Sequence, residues 1–187
     1  MKTFLRDILT TVLLAAVVYV GLHYTIQDYI VRQSSMEPNF HEGQRVLVNK
    51  VVYKLHAPGR GDVIILHPPQ SSNPQAIPFI KRIVALPGES VEIKNGVVRV
   101  NGVKLDEPYI KEPLAYTYSL QKVPENEYFV LGDNRNNSDD SHRGWTVPRQ
   151  NIIGKAWLSI WPPGQWGLVS NYNLPVQAGN LTNTNQK

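Results

Sequence analysis

The chain has 187 residues and a formal net charge of +4, and hydrophobic residues make up 42% of it. That length supports one sizeable core. The ordinary hydrophobic share excludes a disordered chain and a multi-span membrane protein, the scattered Lys and Arg offer no nucleic-acid surface, and the absence of cysteine excludes disulfides, thiolate catalysis and cysteine-ligated zinc.

Ile8 to Thr25 reads ILTTVLLAAVVYVGLHYT, with no Asp, Glu, Lys or Arg. About 17–20 apolar residues cross a bilayer, so the run predicts a transmembrane anchor over 8–25. Lys2 and Arg6 precede it, and basic residues stay on the cytoplasmic side, which puts 1–7 inside and the rest of the chain outside. A cleaved secretory signal would end in a small-residue site. Leu22-His23-Tyr24-Thr25-Ile26-Gln27 offers none, so an uncleaved anchor is the better reading.

Beyond the anchor, strand patterns dominate. Arg45–Tyr53, Asp62–Leu66 and Phe79–Leu86 are rich in β-branched residues, and Pro58-Gly59-Arg60-Gly61 and Pro87-Gly88 punctuate them. Pro68 to Pro78 reads as a surface loop. A hairpin series follows: SVEIK, Asn95-Gly96, VVRV, Asn101-Gly102 and VKL. Asn-Gly between β-rich runs is a strong hairpin signal because both residues tolerate positive φ. Glu127–Leu131 and Ile152–Trp161 are further strands, and the polar tail 173–187 reads as frayed. Many short strands between Pro and Gly indicate a mainly β, antiparallel fold.

No H-E-x-x-H, G-x-S-x-G or P-loop occurs, and His23, His41, His56, His67 and His142 are unpaired at metal-ligand spacing. Four segments stand out. Ser34-Ser35-Met36-Glu37-Pro38, taken alone, suits a helix N-cap. Gly61-Asp62-Val63 alone is a turn entering a strand. In Phe79-Ile80-Lys81-Arg82-Ile83-Val84, alternation puts Phe79, Lys81 and Ile83 on one face. Lys81 there either snorkels to solvent or is buried, and burial lowers a lysine's pKa until it can act as a base. Gly132-Asp133-Asn134-Arg135-Asn136-Asn137-Ser138-Asp139-Asp140-Ser141 is dense in Asx-turn residues. It lacks the order and closing Glu of a calcium loop.

Together and in this order, SMEP (35–38), GDV (61–63), KRIVALPG (81–88) and GDNRNNSDDS (132–141) behind one anchor resemble the type I signal peptidases. The resemblance runs from the anchor to about residue 160. It implies a mainly β, antiparallel catalytic domain of signal-peptidase type over 26–172, with a hairpin subdomain at 88–125 and one N-terminal transmembrane helix. It further implies a serine endopeptidase that cleaves after small residues at −1 and −3, with Ser35 as nucleophile and neutral Lys81 as general base. Ser138 would hydrogen-bond the amine, and Asp133 and Asp140 would support it. Tyr29, Val31, Met36, Phe79 and Ile80 would line the substrate site. The Ser35 backbone N–H would serve the oxyanion.

The implied partners are exported preproteins and a phospholipid membrane, plasma or thylakoid. No cofactor, metal or nucleic acid is expected, and a monomer is. Three positions depart from the family pattern. Gln33 stands where many members carry an oxyanion-donating Ser or a Gly, Asn136 replaces a common Asp, and His142 replaces an Arg that pairs with the position of Asp140. The rival readings are a self-cleaving repressor-type Ser-Lys protease, which the anchor disfavours, and a tethered β domain that binds peptides without cutting.

Overall fold

A computed structural model of the chain describes residues 2–71, 73, 75–172 and 174. Helix α1 (Lys2–Thr25) begins before the uncharged run and takes in Arg6 and Asp7. Its stretch Thr3–Thr25 has a mean hydropathy of 1.8 and buries nothing against the rest of the protein. Strand β1 (Ile26–Ile30) follows with no intervening residue.

The strands after it are β2 (Arg45–Asn49), β3 (Val63–Leu66), β4 (Phe79–Ala85), β5 (Ser90–Lys94), β6 (Val97–Val100) and β7 (Val103–Lys104). The remainder are β8 (Tyr118–Lys122), β9 (Glu127–Leu131), β10 (Val147–Pro148), β11 (Ile152–Trp161) and β12 (Gly167–Leu168). An eight-stranded sheet runs β1-β2-β11-β3-β4-β9-β10 with β12 on β11, and a four-stranded sheet runs β7-β6-β5-β8. All pairings are antiparallel.

The hairpins form as their turn residues require. Asn95 and Gly96 have φ 53° and 72°, and Asn101 and Gly102 have φ 52° and 78°, the positive pair of a tight turn whose twist matches the flanking strands. The expected strand 45–53 is shorter than its β-branched run. Asn49 Oδ1 accepts the backbone N–H groups of Val51 and Val52 at 3.0 Å each, and this side-chain turn ends the strand. The short helix α2 (Val52–Leu55) takes its place. Strands β1 and β8 have mixed polar sequences that carry little periodicity. The tail 173–187 lies outside the described residues apart from Leu174.

Strand β4 links the two sheets. Its partners Ile65 and Val63 on β3 belong with Ile80 to a core that also holds Val31, Met36, Phe40, Val46, Val48 and Ala156. Farther along, Val84 and Ala85 enter a second core with Val91, Ile93, Val98 and Val100 of the small sheet. A charge in the middle of this strand therefore lies between two apolar clusters.

Candidate active site

Successive residues of a strand point to opposite faces, and both faces of β4 are covered where Lys81 and Arg82 stand. Both side chains are 0% exposed. Lys81 shares its face with Phe79, whose ring centroid is 5.3 Å from Nζ, as alternation requires. Of the two readings of Lys81, burial holds and snorkelling does not.

Ser35 sits in a 3-10 turn, Ser34–Met36, that opens soon after β1. Met36 plugs the core beneath it. The Ser35 carbonyl accepts Asn134 N–H at 2.9 Å, and the Ser34 carbonyl accepts Asn134 Nδ2 at 3.1 Å. The turn is thus clamped by the 132–141 loop. Its outcome is a distance of 2.7 Å between Lys81 Nζ and Ser35 Oγ. Burial lowers the Lys81 pKa from 10.5 to about 8, against an upward pull from the charges of Asp140, Asp139 and Asp133. A hydroxyl in contact with an amine that titrates near neutrality can pass its proton to that amine.

The neighbouring loop is packed to contact. A Cβ on Gly132 would fall 2.3 Å from Ser138 Oγ and 2.4 Å from the Ser35 carbonyl, so only glycine fits. Ser138 Oγ is buried there and has no hydrogen-bond partner among the described residues. The expected bond from Ser138 to the amine is therefore not formed. Asp133 Oδ1 and Oδ2 accept Arg82 Nε and Nη2 at 2.8 and 2.7 Å, and Asn39 Nδ2 donates to Oδ2 at 2.8 Å. The Arg82 guanidinium lies 4.2 Å from the Tyr109 ring centroid, and its Nη1 donates to the carbonyls of Gly61 and Ser170. A second buried pair, Arg135 with Glu107 at 2.7 and 3.0 Å, anchors the same loop, and Arg135 Nε donates to the Gly132 carbonyl.

The departures from the family pattern have local partners. Asp140 Oδ2 accepts Gly132 N–H at 2.9 Å, and Oδ1 lies 2.7 Å from His142 Nδ1. His142 thus takes the place open to an arginine, while Arg143 pairs with the exposed Asp139 at 3.9 Å. The His142 ring stacks on Tyr116 with centroids 4.2 Å apart. Asn136 accepts Ala115 N–H at 2.8 Å and donates to the Pro113 carbonyl at 3.0 Å, a two-way contact that a carboxylate could not make.

Two open hollows meet at Gln33, Asp139 and Arg143. One, of about 450 Å³, is floored by Ser35 and Ser138; the other, of about 860 Å³, is walled by Phe79, Ile77 and Trp145. Gln33 is exposed on both. The side chains of Val31, Met36 and Ile80 are buried in the core beneath rather than lining open space. Tyr29 spans from β1 to the residue before β4, donating from its hydroxyl to the Pro78 carbonyl at 2.7 Å, and burial pushes its phenol up to about 12.

The Arg82–Asp133 pair escapes sequence reasoning. Its one signal is a cation directly after Lys81, which alternation turns toward the other face. The Gly61-Asp62-Val63 segment lies away from the reacting groups. Asp62 binds Tyr53 Oη, Gly59 N–H and Lys155 Nζ at 2.9, 3.0 and 2.6 Å, and its backbone carbonyl accepts Ile83 N–H, which fixes the start of β3 on β4.

The chain is similar to "Probable signal peptidase I-1" of Synechocystis sp., 38% identical over 186 residues, covering 97% of this chain and 94% of that one. It is 40% identical over 168 residues to "Signal peptidase I" of Leptolyngbya laminosa, covering 87% and 83%. A crystal structure of a signal peptidase I from Enterococcus faecalis matches at 34% identity with a TM-score of 0.43, covering 54% of this chain and 97% of that one. The family described as "Signal peptidase, peptidase S26" matches residues 3–161, and with most of its length inside that match the chain belongs to this family of peptidases.

Proposed function

We propose that the protein is a serine endopeptidase that removes signal peptides from exported preproteins at a membrane surface. Ser35 is its nucleophile and neutral Lys81 its general base. The observation that carries this reading is a fully buried amine 2.7 Å from a hydroxyl. The amine lone pair takes the Ser35 proton as Oγ attacks the scissile carbonyl carbon. The oxyanion accepts the Ser35 backbone N–H. The protonated amine then gives its proton to the leaving amine as the peptide C–N bond breaks. Water attacks the acyl carbon while losing a proton to Lys81, and the ammonium returns that proton to Ser35 Oγ as the ester bond breaks.

The substrate lies extended. Strand β9 pairs with β4 only from Arg82 onward, so among the described residues β4 keeps a free edge from Phe79 to Lys81. Strand β1 ends the large sheet, with its outer edge open. A peptide added between these edges by main-chain hydrogen bonds meets Tyr29, Phe79 and the floor of Val31, Met36 and Ile80. That floor is already filled, so only small side chains fit at −1 and −3. Asp133 and Asp140 hold the loop over the site, Ser138 packs against Gly132 beside Ser35, and Gln33 stands at its mouth. Helix α1 anchors the chain as a single pass with its N-terminus in the cytoplasm, in a plasma or thylakoid membrane, and the protein works as a monomer.

Purified full chain in detergent is expected to cleave a preprotein after a small residue. Ser35→Ala and Lys81→Ala each abolish cleavage while leaving circular dichroism and melting cooperative. Wild-type rates in Lys81→Ala would refute the proposed base.

A further inference from the structure

The outer end of α1 meets a basic hollow that the peptidase chemistry does not use. It measures about 310 Å³ and opens beside Tyr24, in the last turn of the helix. Lys50, Lys54 and Arg149 converge on it, with Ile152 and Ile153 as apolar wall, and no Asp or Glu lines it. Among the described residues, none of these three cations forms an ion pair. Asp62, which Tyr53 touches, is already neutralised by Lys155 at 2.6 Å. Arg149 Nη2 donates to the Tyr53 carbonyl, whereas Nη1 is buried and has no partner among the described residues.

A hollow on which three cations converge, with no acidic residue lining it and no ion pair to them among the described residues, calls for an anion with several acceptor oxygens, and phosphate is such a group. Its place at the end of an apolar helix, beside an interfacial tyrosine, sets it at headgroup level. The isoleucines suit the first carbons of a glycerol backbone. We propose that this hollow binds the phosphate of an anionic phospholipid headgroup from the outer leaflet, an inference that rests on the reading of α1 as a membrane anchor.

The test is native mass spectrometry of the full chain released from detergent, titrated with phosphatidylglycerol, with phosphatidylcholine, and with inorganic phosphate as competitor. The wild type should retain one phosphatidylglycerol in preference to phosphatidylcholine, and millimolar phosphate should not displace it. The double variant Lys50→Gln, Lys54→Gln should bind it about 30-fold more weakly, roughly fivefold for each lysine near the surface. Arg149→Gln, which removes the third cation, should weaken binding about fivefold by itself.

Wild-type affinity in the double variant, or equal retention of the two lipids, would overturn the proposal. Displacement by inorganic phosphate would instead assign the hollow to a free anion. Preprotein cleavage in detergent should be unchanged in the double variant. Failure of the wild-type chain to insert into vesicles would point to the anchor reading as the fault, not the lysines.

Discussion

Burying an amine is expensive, and replacing Lys81 by Met should therefore make the protein more stable while it loses its chemistry. Methionine has nearly the length of lysine and no charge. The Lys81 pKa falls from 10.5 to about 8 in the folded protein. At about 1.4 kcal/mol per pKa unit, holding the charged amine in the fold costs about 3 kcal/mol at neutral pH. Methionine removes that cost but leaves Ser35 Oγ without its partner, a loss of about 1 kcal/mol. The net gain is about 2 kcal/mol, or about 4–8 °C in melting temperature for a chain of this size.

The pH dependence has a fixed sign. Between pH 8 and 10.5 the unfolded chain binds more protons at this position than the folded one, so wild-type stability rises with pH across that window. The methionine advantage is complete below pH 8 and disappears by about 10.5. Melting curves of both full chains in one detergent, at several pH values across this range, measure it. Equal melting temperatures at pH 7, or a gain that does not shrink on raising the pH, would refute the claim that burial of a cation is stored here.

With Lys81 as the proposed base, kcat/KM should rise about tenfold between pH 7 and 9 as the amine loses its proton, and a flat profile would rule it out. Gly132→Ala should lower kcat/KM about 100-fold, because the new methyl displaces the Ser35 carbonyl and Ser138 from contact, and misplacement by an ångström is worth that much. Unchanged turnover in that variant would show the close packing to be dispensable. Asp133→Asn should destabilise the fold by about 3 kcal/mol, since it leaves Arg82 charged in the interior with a neutral partner. Urea denaturation reads this directly, and a loss below about 1 kcal/mol would mean that Tyr109 and the carbonyls suffice.

The hairpins of the small sheet are legible because Asn95-Gly96 and Asn101-Gly102 encode their turns locally. The β-branched runs of β3, β4, β9 and β11 are equally plain. The length of β2 is not, because a single Asn49 side chain outcompetes the propensity of Val51 and Val52. Alternation tells which residues share a face with Lys81 but not whether that face is covered. Its cover comes from Ser35 and the 132–141 loop, distant in sequence. For the same reason the buried pairs Arg82–Asp133 and Arg135–Glu107 are invisible locally. The four segments in order identify the family; the exchange of an arginine for His142 beside Asp140 needs coordinates, because two residues compete for one carboxylate.

Helix α1 passes into β1 without a single linking residue, and Ser35 comes ten positions after Thr25. Ten residues at full stretch reach about 35 Å. If the helix is held in a bilayer as proposed, the hydroxyl is kept on a short leash. Proteins diffusing freely beyond that radius are out of its reach however well their sequences fit, and a chain still tethered by its own hydrophobic segment delivers itself to the cleft.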